Sequence, residues 1–299
     1  MRILITGANG LLGQKLVALL RTDTDVSFVA TARENSIVDV APGTFRQLDI
    51  TNRETVMKVI SETKPDVIVN TAAMTQVDAC EDDRETCWQA NVNAVSYLIE
   101  ACRDNRAHLI HVSTDFIFDG TKELLDESAE PNPVNYYGKS KLAGEQKLID
   151  SDISWCIVRT VLVYGVTQGI TRSNIVLWVK NNLEQKKTIR VVNDQWRTPT
   201  LAEDLAAGCL LAAKKRATGI FNISGKDYMS VHEIAVRTAT FFNLDKSNIV
   251  ETDSTHFKQP AARPMKTGFI IAKARKELGY EPRSFEEGLA LVARQLRSH

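Results

Sequence analysis

"RILITGANGLLGQKL", residues 2–16, decides how the chain is read. A short apolar, β-rich run, Arg2–Thr6, stops at Gly7, and an apolar helical pattern, Leu11–Leu20, begins four residues later. Gly7, Gly10 and Gly13 lie between strand and helix in the spacing G-x-x-G-x-x-G. Glycine permits the tight turn, lets the backbone approach a pyrophosphate, and lets the helix pack closely on its sheet. The helix start, with Leu11 and Leu12, offers unpaired N–H groups and a positive dipole end to the phosphates. The spacing differs from the G-x-G-x-x-G of many dinucleotide-binding proteins. Its placement after a strand and before a helix at the chain start still predicts dinucleotide binding.

The same alternation continues outward. Strands are predicted at Val26–Thr31, Phe45–Leu48, Val67–Asn70, Leu109–Val112 and Trp155–Val158. Each is a continuous apolar run, as in strands buried on both faces. Helices are predicted at Arg53–Thr63, Asp83–Arg103 and Tyr137–Ile149, with Asn52 and Asp82 as N-caps and Pro65 closing one helix. The expected fold is α/β, a doubly wound parallel Rossmann sheet with a smaller, interleaved C-terminal substrate lobe. Residues 1–160 form the NADP(H)-binding domain in this reading, and residues 161–299 mainly the lobe. In the lobe, helical patterns run over Ile175–Gln185, Leu201–Lys214, Val231–Phe242 and Phe285–Leu296.

Composition narrows the function classes. The 299 residues carry 37 basic and 37 acidic side chains, so the basic excess of a nucleic-acid binder is missing. No apolar run approaches the roughly 20 residues of a membrane helix, and the N-terminus does not read as a signal peptide. Five scattered cysteines without C-x-x-C spacing suggest reduced thiols and a cytoplasmic protein. The histidines show no metal-ligand spacing.

Cofactor choice is read at the end of the second strand. Thr31-Ala32-Arg33 has no carboxylate before Glu34, whereas an acidic residue there usually holds the ribose of NAD. The Arg33 fork suits a 2′-phosphate, which favours NADP(H), with NAD(H) the alternative; a solvated surface arginine is the plain reading. Asp49 and Ile50 after the third strand, and Thr71, Ala72 and Ala73 after the fourth, stand where adenine and the nicotinamide-side ribose would pass.

"NPVNYYGKSKLAGE", residues 132–145, holds two tyrosines and two lysines at a helix start. Tyr137 and Lys141 are four apart and share a helix face, whereas Tyr136 has no lysine at that spacing. A phenol of pKa about 10 is a poor acid near neutrality. A nearby ammonium stabilises the phenolate, brings the phenol toward useful general-acid range, and can also bind the cofactor ribose. "HVSTDFIFDG", residues 111–120, delivers Ser113 and Thr114 to the carboxyl edge of the sheet. A hydroxyl there can donate to a substrate carbonyl.

Taken together, the chain resembles the extended short-chain dehydrogenases/reductases, and within them the dTDP-4-dehydrorhamnose reductases, over nearly its whole length. The motifs are "TGANGLLG", "VSTDFIFDG", "YYGKSKLAGE", "VVNDQWRTPT" and "ARPMKT". The resemblance implies NADPH-dependent reduction of the C4 ketone of a dTDP-linked sugar. It makes Tyr137 the proton donor, Lys141 its pKa modifier and ribose ligand, and Thr114 the carbonyl-polarising hydroxyl, with Asp115 touching the sugar. It also implies a nucleotide-sugar substrate and a homodimer. Two positions depart from the family pattern: Phe116 replaces a tyrosine, and Val161-Leu162-Val163 lacks a tryptophan. Thr114-Asp115-Phe116 also lacks the Asp-Glu of the related 4,6-dehydratases. A 4-epimerase keeps the same Tyr–Lys pair. The regulatory β subunit of methionine adenosyltransferase resembles the same scaffold, so an NADP-binding interaction protein is a further alternative.

Other features have plainer readings. The acidic run Asp78, Glu81, Asp82 and Asp83 is expected to complement a helix dipole. Trp88, Trp178 and Trp196 are expected to pack. Arg197 and Arg263 are candidate ligands for the substrate pyrophosphate, because bidentate donors suit it, and Pro264 restricts the backbone beside Arg263.

Overall fold

The computed structural model describes residues 1–41, 43–169, 174–256 and 259–297. Seven parallel strands form the main sheet: β1 (Arg2–Thr6), β2 (Ser27–Ala32), β3 (Phe45–Gln47), β4 (Val67–Asn70), β5 (His108–Thr114), β6 (Trp155–Thr160) and β7 (Gly219–Asn222). Their order is β7-β6-β5-β4-β1-β2-β3. The order reverses between β1 and β4, the place where open α/β sheets bind ligands beyond their strand ends.

Side-chain alternation builds the two layers. Ile3, Ile5, Val67, Val69, Ile110, Cys156 and Val158 face one core, which helices α1 (Leu11–Leu20) and α8 (Ala202–Lys215) cover. Leu4, Ile68, Leu109 and Ile157 face the other, covered by α2 (Arg53–Thr63), α5 (Ala94–Asn105) and α6 (Tyr136–Ile149). Strands buried on both faces need this unbroken apolar run. The Asn52 side chain accepts from Thr55 N at 3.0 Å and caps α2, as expected.

Three expectations are corrected. The helix expected over Asp83–Arg103 forms without a gap but not uniformly: α4 (Arg84–Trp88) runs through a π-turn at Gln89–Asn93 into α5, and a separate α3 (Val77–Asp82) precedes it. The cap of α4 is Asp83, which accepts from Thr86 N at 3.0 Å, while Asp82 ends α3. Finally, β7 was not among the expected strands. Its sequence Gly-Ile-Phe-Asn is too short to show a period, and it becomes a strand by pairing with β6.

Helices α7 (Ile175–Glu184), α9 (Val231–Phe241) and α10 (Phe285–Arg297) pack with the parallel pair Ile189–Val192 and Ile249–Thr252 around smaller cores. Among the described residues, no helix is long and apolar enough to cross a membrane. All five cysteines are buried and none is in a disulfide.

Candidate active site

The cradle after β1 has the shape its glycines suggest. Gly7 has φ +70°, and a Cβ on Gly13 would lie 2.2 Å from the Gly7 carbonyl oxygen. Close approach of α1 to the turn therefore requires glycine. Gly10 occupies the N-cap position of α1, and no side chain caps the helix. The first amides of α1, those of Leu11 and Leu12, thus lack the cap partner that most helix starts supply. Anionic phosphates fit such a terminus. Thr71 lies across the switch point at the end of β4 and donates to Thr6 O at 2.6 Å. Ala72 and Ala73 follow it, partly exposed beside the cradle.

Arg33 follows β2 directly, with its side chain 74% exposed and Glu34 the nearest carboxylate at 3.7 Å. An exposed ion pair of this kind holds little energy, so the fork is available to an anion. Asp49 at the end of β3 accepts from Thr51 N at 2.9 Å and Thr51 Oγ1 at 2.7 Å. Ile50 beside it is buried.

At the carboxyl end of β5, Thr114 Oγ1 donates to Asp115 Oδ1 at 3.1 Å and accepts from Phe116 N at 3.2 Å. Helix α6 then brings its first turn against this edge. Asn135 caps it, accepting from Gly138 N at 2.8 Å, and Gly138 allows the contact because a Cβ there would meet Phe116 O at 2.1 Å. Tyr137 is 7% exposed and packs edge-on against Phe116, with ring centroids 5.8 Å apart. The aromatic at position 116 thus supports the Tyr137 ring and has no hydroxyl to offer a ligand.

One turn further along α6, Lys141 is 2% exposed; Nζ donates to Val112 O at 2.8 Å and lies 3.1 Å from His111 Nε2. Burial lowers its pKa to about 8, against the opposing pull of Glu145. Glu145, a further turn along, binds Arg159 of β6 at 2.7 Å, with both side chains buried. The face of α6 therefore reads Tyr137, Lys141, Glu145, ending on a buried counter-ion pair. Desolvation would otherwise strip the charge from an isolated ammonium, so the carboxylate supports the charged form.

Three segments converge around Asp115. Its carboxyl is buried, which pushes its pKa up, while Arg197 at 3.7 Å and the hydroxyls of Thr267 and Thr114 oppose that shift. Arg197 is itself buried and donates to Trp196 O at 2.7 Å, Pro264 O at 2.7 Å and Met265 O at 3.0 Å. Arg263 grips Asp78 with both fork nitrogens at 2.6 Å. The two arginines expected at the substrate pyrophosphate thus each stand beside a carboxylate: Arg197 is buried near Asp115, and Arg263 is paired with the partly exposed Asp78. The acidic run serves helix starts, as expected, and makes further contacts. Asp78 holds the 261–264 loop, Glu81 accepts from Tyr136 N at 2.6 Å, and Asp83 caps α4.

Asn91 and the pairing of Glu145 escaped the sequence reading. Asn91 lies in the π-turn, accepts from Met74 N at 2.9 Å, and donates to Met74 O at 3.0 Å and Ser140 Oγ at 2.9 Å. It ties the loop after β4 to α6; a π-turn often marks such a place. Glu145 was visible at i, i+4 from Lys141, but the identity of its partner depends on the fold. Leu162, at the position lacking a tryptophan, takes φ +38°, a strained value for leucine.

A family model described as the RmlD substrate binding domain matches residues 1–298. The chain belongs to this family. A dTDP-4-keto-6-deoxy-D-glucose reductase of Streptomyces niveus is 33% identical over 283 residues, 94% of this chain and 92% of that protein. The methionine adenosyltransferase 2 subunit beta of Bos taurus is 30% identical over 83% of this chain and 74% of its own length. Among solved structures, a dTDP-4-dehydrorhamnose reductase of Clostridium acetobutylicum superposes with TM-score 0.89 at 31% identity, covering 99% of this chain and all of that one. One of Bacillus anthracis, solved in complex with NADP, gives 0.87 at 29%, covering 98% of this chain and 99% of that one.

Proposed function

We propose that this chain is an NADPH-dependent reductase of the C4 ketone of a nucleotide-linked deoxysugar, with dTDP-4-dehydro-L-rhamnose the first substrate to test. The observation that carries it is the buried Tyr137–Lys141–Glu145 face of α6, brought against Thr114 beside an uncapped glycine cradle. The relative solved with NADP and the relatives named as dTDP-sugar reductases support the same reading. Bound NADPH would supply hydride. Leu11 and Leu12 amides would hold its pyrophosphate, Arg33 its 2′-phosphate, and Thr71–Ala73 would flank the nicotinamide side.

The chain's own groups then manage the oxygen. Thr114 Oγ1 turns its hydrogen from Asp115 to the substrate carbonyl and stabilises the developing negative charge. The Tyr137 hydroxyl gives that oxygen its proton, and the Lys141 ammonium stabilises the phenolate left behind. Asp115, held by Arg197 and Thr267, is placed to touch the sugar. Phe116 and Leu162 remove a hydroxyl and an aromatic platform from the sugar side, so a related keto sugar is the second substrate to try. Reduced buried thiols support a cytoplasmic protein; family resemblance supports a homodimer.

The test follows NADPH absorbance with dTDP-4-dehydro-L-rhamnose and analyses the product. Oxidation of NADPH with formation of a 4-hydroxy sugar is expected, and Tyr137→Phe should slow it about 10²–10⁴-fold while retaining NADPH binding. Absence of oxidation with any dTDP-linked keto sugar would favour the interaction-protein reading, to which the methionine adenosyltransferase relative points. Epimerised product without net NADPH consumption would favour a 4-epimerase.

A further inference from the structure

Thr6, Asn70 and His111 occupy one row across β1, β4 and β5, because the parallel register pairs Thr6 with Asn70 and Asn70 with His111. They lie on the face that also carries Leu4, Ile68 and Leu109, and none is more than 1% exposed. Polar side chains in an apolar layer are costly unless each is hydrogen-bonded. Here they form a chain: Thr6 Oγ1 to Asn70 Oδ1 at 2.6 Å, then Asn70 Nδ2 to His111 Nδ1 at 3.0 Å. It ends at Lys141 Nζ, 3.1 Å from His111 Nε2.

Burial and the adjacent Lys141 hold the His111 pKa well below 6.5, so the ring is neutral and carries one N–H. One ring proton between an amide and an amine permits two complete patterns on the same heavy-atom positions. In the first, Lys141 is an ammonium that donates to Nε2, the ring proton sits on Nδ1, and the Asn70 amide turns its carbonyl to accept it. In the second, Lys141 is a neutral amine that accepts from Nε2–H, Nδ1 accepts from the Asn70 amide, and the Asn70 carbonyl accepts from Thr6. The patterns differ by one proton, which Lys141 takes up or releases on its Tyr137 side, by the ring tautomer and by the orientation of the Asn70 amide.

We propose that His111 is the positioning residue of the Tyr137–Lys141 pair: Nε2 is the acceptor that keeps Lys141 an ammonium, and its tautomer follows the charge of Lys141. The proposal rests on the reductase reading above. Tyr137 and Glu145 stand one turn to either side of Lys141 on α6, Cys87 approaches from α4, and His111 and the Val112 carbonyl belong to β5. Arg159 of β6 faces the group through Glu145. Glu145 and Cys87 both favour the ammonium, but neither is hydrogen-bonded to Nζ; His111 and Val112 are.

The test compares kcat/KM against pH for the wild type, His111→Leu, which removes the acceptor, and His111→Gln, which restores one. The wild-type alkaline limb should lie near the Lys141 pKa of about 8. In His111→Leu it should move down by about one unit or more, as befits loss of an acceptor for a charged donor. His111→Gln should bring it back to within a few tenths of a unit. Tm and NADPH affinity establish that each variant is folded. A His111→Leu profile superposing on the wild type would overturn the proposal. Should that variant not fold, the ¹⁵N shifts of the wild-type His111 ring decide. They should exchange tautomer across the Lys141 titration and stay fixed in Lys141→Met; a tautomer unchanged over that range overturns the proposal. Tyr137→Phe separates the two levels. Full turnover in that variant would refute the reductase mechanism and this inference with it; an inactive Tyr137→Phe beside an unmoved His111→Leu limb would refute the inference alone.

Discussion

Replacing Lys141 by Met should abolish turnover and change stability with a pH dependence that only a buried, titrating ammonium produces. Burial lowers the Lys141 pKa from 10.5 to about 8, with Glu145 opposing. At about 1.4 kcal/mol per unit, the shift corresponds to about 3 kcal/mol. The folded pKa lies below the unfolded one, so the unfolded chain binds this proton more tightly. Stability from this group therefore rises with pH between about 8 and 10.5, and below about 8 the whole penalty is present.

The Met variant has no such group. At neutral pH it is relieved of about 3 kcal/mol, but the Val112 carbonyl and His111 Nε2 lose their donor, at about 1–3 kcal/mol for each buried unpaired group. The two effects nearly cancel, so the variant should lie within about 2 kcal/mol of the wild type at neutrality. As pH rises through the window, the wild type should gain about 3 kcal/mol on the variant. Urea unfolding of both proteins at a series of pH values measures this, because every other titration is common to the pair. A difference that stays flat would show that Lys141 does not titrate there, and the account of a strained ammonium under Tyr137 would fall. NADPH oxidation by the variant should drop at least about a hundredfold.

Other perturbations read other parts of the site. Arg33→Ala should weaken NADPH much more than NADH in fluorescence titration; equal losses would remove the 2′-phosphate role. Gly13→Ala places a Cβ 2.2 Å from the Gly7 carbonyl oxygen. Moving α1 away should cost about 1–3 kcal/mol and raise the NADPH Kd roughly tenfold or more, measured by calorimetry. Glu145→Gln leaves the buried Arg159 uncompensated and should destabilise the protein by about 3–5 kcal/mol in denaturant unfolding.

Much of the fold could be read from local pattern because its signals are local. The run Arg2–Thr6, the glycine turn and the apolar face of α1 lie within twenty residues, and each strand buried on both faces announces itself as an apolar run. The pair Tyr137–Lys141 was legible for the same reason, since a helix fixes which residues share a face. What stayed hidden depends on contacts between distant segments. Strand β7 is a strand because β6 lies beside it, and the helix over 83–103 widens into a π-turn where Asn91 reaches Met74 and Ser140. Arg197 and Arg263 look like free anion ligands in a string of letters, and only the fold sets Asp115 and Asp78, 82 and 185 residues away, beside them. Arginine chemistry alone does not reveal such pairing, which depends on the carboxylate that the fold brings alongside. In the order β1-β4-β5 the row Thr6–Asn70–His111 follows the same rule. Three unremarkable residues become the floor beneath Lys141 because parallel register puts them side by side.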